Sequence, residues 1–306
     1  VQTRRIGAYG VLTDDAGRVL LTRSSALSDV AGTWYLPGGG VEHGEAPADT
    51  VVREVAEETG LRVAVTGVRD VVSDVLAIPA RGQRLHTDRV LYDLRLLGGE
   101  LRAEVSGSTD LVRWVAPEEL PGLRLMPFVA AALGQPVRAP WVRPDLPPAE
   151  PAPEPSPDGA PRGQRFAAYA VATDPAGRLL LTRISPGYPG AGRWHLPGGG
   201  VDHGEQPGQG LLRELREETD QLGVLGEVID VSSHRDPAAL GPEGYPLDWH
   251  AVRVLYRVQV PEPTRPRVMD PDNSTDAAEW FSPTRIADHA ITDVVQRALD
   301  ALSSSR

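Results

Sequence analysis

Cysteine is absent from all 306 residues, and so is lysine: every one of the 31 basic residues is arginine. The first absence excludes disulfides, thiolate metal sites and cysteine nucleophiles. The second excludes a Schiff base or a lysyl–nucleotide intermediate. No apolar run approaches the roughly 18 residues needed to span a bilayer. The opening stretch VQTRRIGAYGVLTDD also lacks the apolar core of a signal peptide, so the expectation is a soluble cytoplasmic protein with no membrane partner. Positive charge is outweighed as well. A formal net charge of −11 argues against a nucleic-acid polymer or an anionic membrane as partner, because both reward net positive charge. It leaves room for a small phosphorylated ligand, since a local divalent cation reverses the field inside a pocket.

What is present is enough for two domains with real cores: 306 residues, 41% of them hydrophobic. The chain is one domain written twice. RRIGAYGVLTDDAGRVLLTR (4–23) lies over QRFAAYAVATDPAGRLLLTR (164–183), and GTWYLPGGGVEHGE (32–45) over GRWHLPGGGVDHGE (192–205). The offset of 160 grows to 164 at HTDRVLY and HAVRVLY and to 166 at STDLVRW and STDAAEW. A period this long is a domain duplication, not a solenoid of ~20–50-residue units. The domains are expected at 1–135 and 164–306, joined by a proline-rich linker at 136–163 that holds ten prolines and behaves as an extended, semi-rigid spacer. Trp141 is a candidate for pinning the start of that linker to a domain surface.

Within each copy, strand patterns surround one charged helix, and a closing helix is expected over PEELPGLRLMPFVAAAL and SPTRIADHAITDVVQRALDAL. That order describes an α+β fold or an α/β/α sandwich. Val51, Val52, Val55 and Thr59 form one face of the charged helix, and Gly60 suits its C′ position. Glu54, Glu57 and Glu58 stand at i, i+3 and i+4, so they share another face and repel by ~0.2–0.5 kcal/mol per pair. A cluster placed behind a glycine triplet, and written twice, points to a divalent cation. Carboxylates suit Mg²⁺, with Mn²⁺ as a substitute. The bare PGGG loop lets backbone approach a metal and a diphosphate. Arg53, beside the acids, is placed to hold Glu45 in a bidentate pair.

Gly39, Glu45 and the run Arg53-Glu54-Val55-Ala56-Glu57-Glu58-Thr59-Gly60-Leu61, together with the preceding WYLPGG and the later Trp114, resemble the signature of the Nudix hydrolases. Each half of the chain resembles one Nudix domain, and only the linker lies outside. The resemblance implies the α/β class, with an α/β/α sandwich around a mixed sheet in each domain, and Mg²⁺-dependent pyrophosphohydrolysis of a nucleoside diphosphate linked to another group. It makes Glu54, Glu57 and Glu58 metal ligands, helped by a carbonyl of Gly38 or Gly39, with Glu45 and Arg53 as the supporting pair and Glu54 a candidate general base. The corresponding residues of the second copy are Glu214, Glu217, Glu218, Gly198, Gly199, Glu205 and Arg213. There Asp220 replaces Gly60, with Gly223 as an alternative place for the helix to end.

Substrate choice is expected in the variable loops. The first copy has 12 residues between Ser73 and His86 and offers Arg81 and Arg84; the second has 16 between Ser233 and His250 and offers Arg235, Tyr245 and Trp249. The copies are therefore expected to differ in substrate. Asp110 and Asp276, four residues before a tryptophan, are candidate auxiliary acids on the family pattern. Trp34 and Trp194 are expected to pack beneath the glycine loop. Two alternatives stand beside the main reading: one domain as a non-cleaving nucleotide-binding or regulatory module, and a sugar or prenyl diphosphate as substrate. The sequence leaves open whether the domains pack on each other or dimerise.

Overall fold

The computed structural model describes residues 1–103, 107–140, 142, 161–240, 245–269 and 274–304. Trp141 lies outside the described residues. The chain divides into two compact units, residues 1–164 with 235–250 and residues 165–234 with 251–306. Among the described residues no helix is long and apolar enough to cross a membrane.

The first repeat opens on β1 (Gln2–Leu12), whose run IGAYGVL is buried on both faces. A strand flanked on both sides reads as a continuous apolar run and not as an alternation. It pairs in parallel with β6 (Gln83–Gly99) and antiparallel with the short β4 (Gly38–Gly40); β6 pairs in turn with β5 (Leu61–Ile78). A second sheet has the order β3 (Trp34–Tyr35), β2 (Val19–Ser24), β7 (Thr109–Val115). Helix α1 (Pro47–Thr59) covers one face of β1, with Val51 and Leu94 closing over Gly10. Tyr9, Val11 and Leu91 point the other way, into a core shared with Trp34, Leu36, and Phe128 and Val129 of α2 (Pro127–Ala132).

The second repeat repeats this plan with β8 (Arg162–Thr173), β9 (Leu179–Ile184), β10 (Trp194–His195), β11 (Gly198–Gly200), α3 (Pro207–Thr219), β12 (Val224–Leu240), β13 (Pro246–Gln259), β14 (Thr275–Phe281) and α4 (Asp293–Ser304). Its strands form one seven-stranded sheet because Thr173 pairs with Leu179 as part of the strands. The matching pair in the first repeat, Thr13 and Val19, is an isolated bridge.

Two expectations are corrected. The closing helices do not run through. Each begins as a 3₁₀ turn, Pro117–Gly122 and Pro283–Asp288, and becomes α-helical only at Pro127 and Asp293. The residues between serve as strand. Trp34 N donates to Arg124 O at 2.8 Å and Met126 N to Trp34 O at 3.0 Å; Trp194 does the same with Ala290 and Thr292. Backbone groups spent on a sheet edge are not available to a helix. The second correction concerns the exit of α3. It does not extend to Gly223. It stops at Thr219, and Asp220 itself takes the left-handed conformation at φ 57°, the one non-glycine residue among those described with positive φ. Gly223 is bare for another reason: a Cβ there would meet Val258 at 2.5 Å and Leu215 at 2.8 Å.

Candidate functional site

The register of β4 on β1 sets Gly38 opposite Tyr9, Gly39 opposite Ala8 and Gly40 opposite Gly7. This brings the glycine loop directly against the acidic face of α1. A Cβ on Gly39 would collide with the Glu54 carboxylate, and one on Gly199 would come to 2.9 Å from Glu214. Glycine lets loop and carboxylate approach without displacing either.

Arg53 organises the acids. Its Nε and Nη2 grip Glu45 at 2.8 and 2.9 Å, a bidentate pair tying loop to helix. Its Nη1 reaches Glu54 at 3.0 Å and Glu57 at 3.2 Å. Arg213 makes the same set in the second repeat: Glu205 at 3.1 Å twice, Glu214 at 3.1 Å and Glu217 at 3.1 Å. The hydrogen bonds from Arg53 hold the Glu45 carboxyl at about 2, well below the usual carboxylate range, with Thr50 assisting. Burial acts in the opposite direction on Glu54 and Glu214, weakening both acids although the neighbouring arginine charge opposes it.

The third acid of each helix stands apart. Glu58 is buried, accepting from Gly38 N at 3.0 Å and from Thr109 Oγ1 at 2.6 Å. Glu218 likewise accepts from Gly198 N and Thr275 Oγ1, both at 2.8 Å. These two glutamates strut the loop and the edge strand onto the helix. Among the described residues no group of three or more acidic or imidazole side chains converges as a ready set of metal ligands.

The remaining sequence candidates are spread over other contacts. Asp110 pairs with Arg23 at 2.8 Å and Asp276 with Arg183 at 2.7 Å. Those two arginines lie over the rings of Trp34 and Trp194, which pack in the two cores. Arg81 pairs with Asp29 at 3.0 Å, and Arg84 lies on β6 with its backbone N bonded to Val1 O. Arg235 forms a bidentate pair with Asp248 at 2.9 and 2.8 Å. Tyr245 is exposed, whereas Trp249 covers Gly163, where a Cβ would meet its ring at 2.8 Å. That contact makes Trp249 a packing residue of β8.

Sequence reasoning passed over a buried polar cluster on the opposite face of β1. Arg89 is buried there, 4.5 Å from the Phe128 centroid and 5.9 Å from that of Tyr9, and is paired with Asp74 at 2.7 Å. Its Nε has no hydrogen-bond partner among the described residues. Burial pushes the hydroxyl of the neighbouring Tyr35 far above the usual phenol range. The second repeat furnishes the same place differently. Arg253 pairs with Asp293 at 2.8 Å, and His195 replaces Tyr35. His195 Nδ1 lies 2.7 Å from Thr292 Oγ1 and its ring meets Tyr169 edge-on at 4.8 Å. Burial pulls its pKa down to about 4, so the ring is neutral near pH 7. The signal that could have exposed the cluster is the arginine shared by HTDRVLY and HAVRVLY.

With this geometry in hand, comparison with known proteins gives a consistent result. The family model of the NUDIX domain matches residues 3–135 and again 163–301. A Mycobacterium tuberculosis protein named "Putative 8-oxo-dGTP diphosphatase 2" is 38% identical over 102 residues, which is 33% of this chain and 67% of that protein. A Methanocaldococcus jannaschii protein named "ADP-ribose pyrophosphatase" is 37% identical over 98 residues, 32% of this chain and 54% of that protein. Among solved structures, a MutT NUDIX hydrolase from Burkholderia pseudomallei is 29% identical, with 46% of this chain and 98% of that chain covered at a TM-score of 0.34.

Proposed function

This chain belongs to the NUDIX domain family, and from that premise we propose that both of its repeats hydrolyse a diphosphate bond in a nucleoside diphosphate derivative. The observation that carries the proposal is the arginine fork. In each repeat one guanidinium holds three glutamates against a glycine loop with the same partners, within a few tenths of an ångström.

The donor set suits Mg²⁺. A largely buried carboxylate lies against bare backbone at Gly39, a second stands one turn away, and both carry hard oxygens. Glu54 and Glu57 would hold the ion with the Gly39 carbonyl, and Glu214 and Glu217 with that of Gly199. Glu58 and Glu218, whose oxygens each keep a second lone pair beside the hydrogen bond they accept, would complete the acid set while keeping the loop in place. When bound, the ion supplies charge neutralisation on the phosphoryl oxygens.

The chain's own residues supply the rest. Glu54, made a weaker acid by burial, takes the proton as water attacks phosphorus. The new P–O bond forms as the bond to the bridging oxygen breaks, and the departing phosphate keeps the electron pair. Arg53 keeps Glu54 aimed at the loop while its other edge is locked by Glu45. The names of the relatives support testing 8-oxo-dGTP and ADP-ribose as the first candidate substrates.

The test is a panel of nucleoside triphosphates, oxidised dNTPs, ADP-ribose, dinucleoside polyphosphates, nucleotide sugars and prenyl diphosphates with Mg²⁺. It is run on the parent, on Glu57→Gln, on Glu217→Gln and on the double variant. The double variant is expected to lose ~10²–10⁴-fold in kcat. Full activity in it overturns the proposal, and the single variants report which repeat cleaves which substrate.

A further inference from the structure

Around each glycine loop the charges are nearly all matched within the fold, with one exception per repeat. Arg5 sits on β1 two residues before Gly7, on the strand face that also carries Tyr9. Its guanidinium lies flat over Gly40: a Cβ there would come to 3.1 Å from both Nε and Nη2. Arg165 lies over Gly200 in the same way, at 2.9 Å. Both arginines are exposed. Among the described residues neither forms an ion pair or a hydrogen bond.

Their neighbours behave differently. Arg53 touches the same Gly40 through its carbonyl, at 3.4 Å, but its guanidinium is spent on three glutamates. Arg4, one position back, points to the other face and pairs with the buried Asp88 at 2.7 Å. In the second repeat Arg4 is replaced by Gln164 and Asp88 by Val252, so that pair is gone. Arg5 is retained as Arg165; within each repeat its charge acts on Glu54 or Glu214 without forming an ion pair. A guanidinium held beside bare backbone with its five donors unmet is suited to a tetrahedral oxyanion, which it can grip in a bidentate manner. Gly40 lacks the side chain that would crowd the guanidinium, and Gly7 makes room for the Tyr9 ring beside it.

We propose that Arg5 and Arg165 bind a phosphoryl group of the substrate, each as the cation that holds the diphosphate on its own glycine loop. The assignment rests on the hydrolytic reading above and adds a division of labour. The diphosphate is held alike in both repeats, at Arg5 and Arg165. The group attached to it meets different surroundings on the same strand face, with Asp74, Tyr35 and Phe128 in the first repeat and His234, His195 and Val294 at the matching positions of the second.

The experiment uses the full chain. In a Glu217→Gln background, so that only the first site turns over, Arg5→Gln and Arg5→Lys are compared with the parent on the best substrate of the panel. Calorimetry with inorganic pyrophosphate and Mg²⁺ is run alongside on the same proteins. Loss of one charged hydrogen-bonding group to phosphate is expected to raise KM and the pyrophosphate Kd roughly tenfold, with kcat within about threefold. Arg5→Lys is expected to recover part of the loss, because it keeps the charge but not the fork. The melting temperature should stay put, since the side chain is exposed. Arg165→Gln in a Glu57→Gln background should repeat the pattern.

Unchanged KM and Kd would overturn the proposal, as would a drop in melting temperature that Arg5→Lys restores without any effect on Kd. So would a displaced acid limb of the rate profile at constant KM, which would make Arg5 a mere counter-charge to Glu54. If the parent hydrolyses nothing on the panel yet binds pyrophosphate, and Arg5→Gln weakens that binding, the hydrolytic reading fails while the anion site stands.

Discussion

In the first repeat Thr50 Oγ1 donates to Glu45 Oε2 at 2.7 Å; at the matching position of the second stands Gly210, where even a Cβ would come to 2.6 Å from Glu205 Oε2. The helices also end differently. Gly60 closes α1 at φ 72° with the backbone oxygen of Glu100 packed against it, and Arg102 N caps the Thr59 carbonyl at 2.9 Å. Asp220 closes α3, and the chain beyond is rebuilt around it. The buried Gln221 amide bonds to Thr264 at 2.8 and 2.9 Å, while Arg267 N and Met269 N cap the Thr219 and Glu217 carbonyls at 3.1 and 2.8 Å. The difference teaches that the arginine–glutamate frame tolerates exchange of its supports, provided the glycine loop and the helix keep their separation.

That comparison can be broken on purpose. The largest stability effect is expected from Gly60→Asp, which asks the first repeat to accept the second's solution. A Cβ would come to 2.6 Å from Glu100 O, and left-handed strain adds to the crowding, for a loss of about 2–4 kcal/mol. The converse, Asp220→Gly, should stabilise by about 1 kcal/mol, since it removes both the strain and a like-signed charge at the helix end. Urea unfolding of the full chain measures both, and equal costs for the two directions would refute the rebuilt exit.

Next is a pH effect confined to the second repeat. The His195 pKa is lowered to about 4 by burial, so the fold holds the ring neutral. An unfolded chain takes up that proton near pH 6.5. Stability from this group is therefore complete above about 6.5 and falls as pH drops toward 4. By pH 5 the loss is about 2 kcal/mol. His195→Tyr, which installs the first repeat's residue, should lessen the dependence, with His250, also held down to about 4 by burial, retaining the rest. Melting temperatures at pH 7 and 5 test this, and an equal fall in both proteins would contradict it.

The smallest expected loss is that of Thr50→Ala, which removes one hydrogen bond to a carboxylate, worth about 1–2 kcal/mol. The Glu45 carboxyl, held at about 2 by Arg53 and helped by Thr50, contributes stability that is present above its ordinary value and lost as pH falls through the lowered one. The variant should begin that acid loss at higher pH than the parent, read by circular dichroism during acid titration. A variant that matches the parent through the titration would show that Arg53 alone sets the carboxyl.

Much of the fold was legible because duplication prints each element twice. The buried strand IGAYGVL, the helix face of Val51 and Val55, and the Arg53–Glu45 spacing all follow from short-range periodicity. The closing helices were misread because their middle residues satisfy their backbone groups on Trp34 and Trp194, a long-range choice that periodicity does not record. The exit of α3 was misread because glycine's freedom at position 223 suggested a cap, whereas packing against Val258 and Leu215 is what excludes a side chain there.

By itself, then, the sequence determined the duplication, the element order and which residues could carry chemistry, since these depend on residue type and spacing alone. Only the tertiary structure decided how the acids divide. It set Glu58 and Glu218 as buried struts, left Glu54 and Glu57 on the arginine fork, and laid Arg5 and Arg165 over the third glycine of each loop. The reason is that strand register places residues distant in sequence within hydrogen-bonding reach, and a linear pattern holds no record of that register.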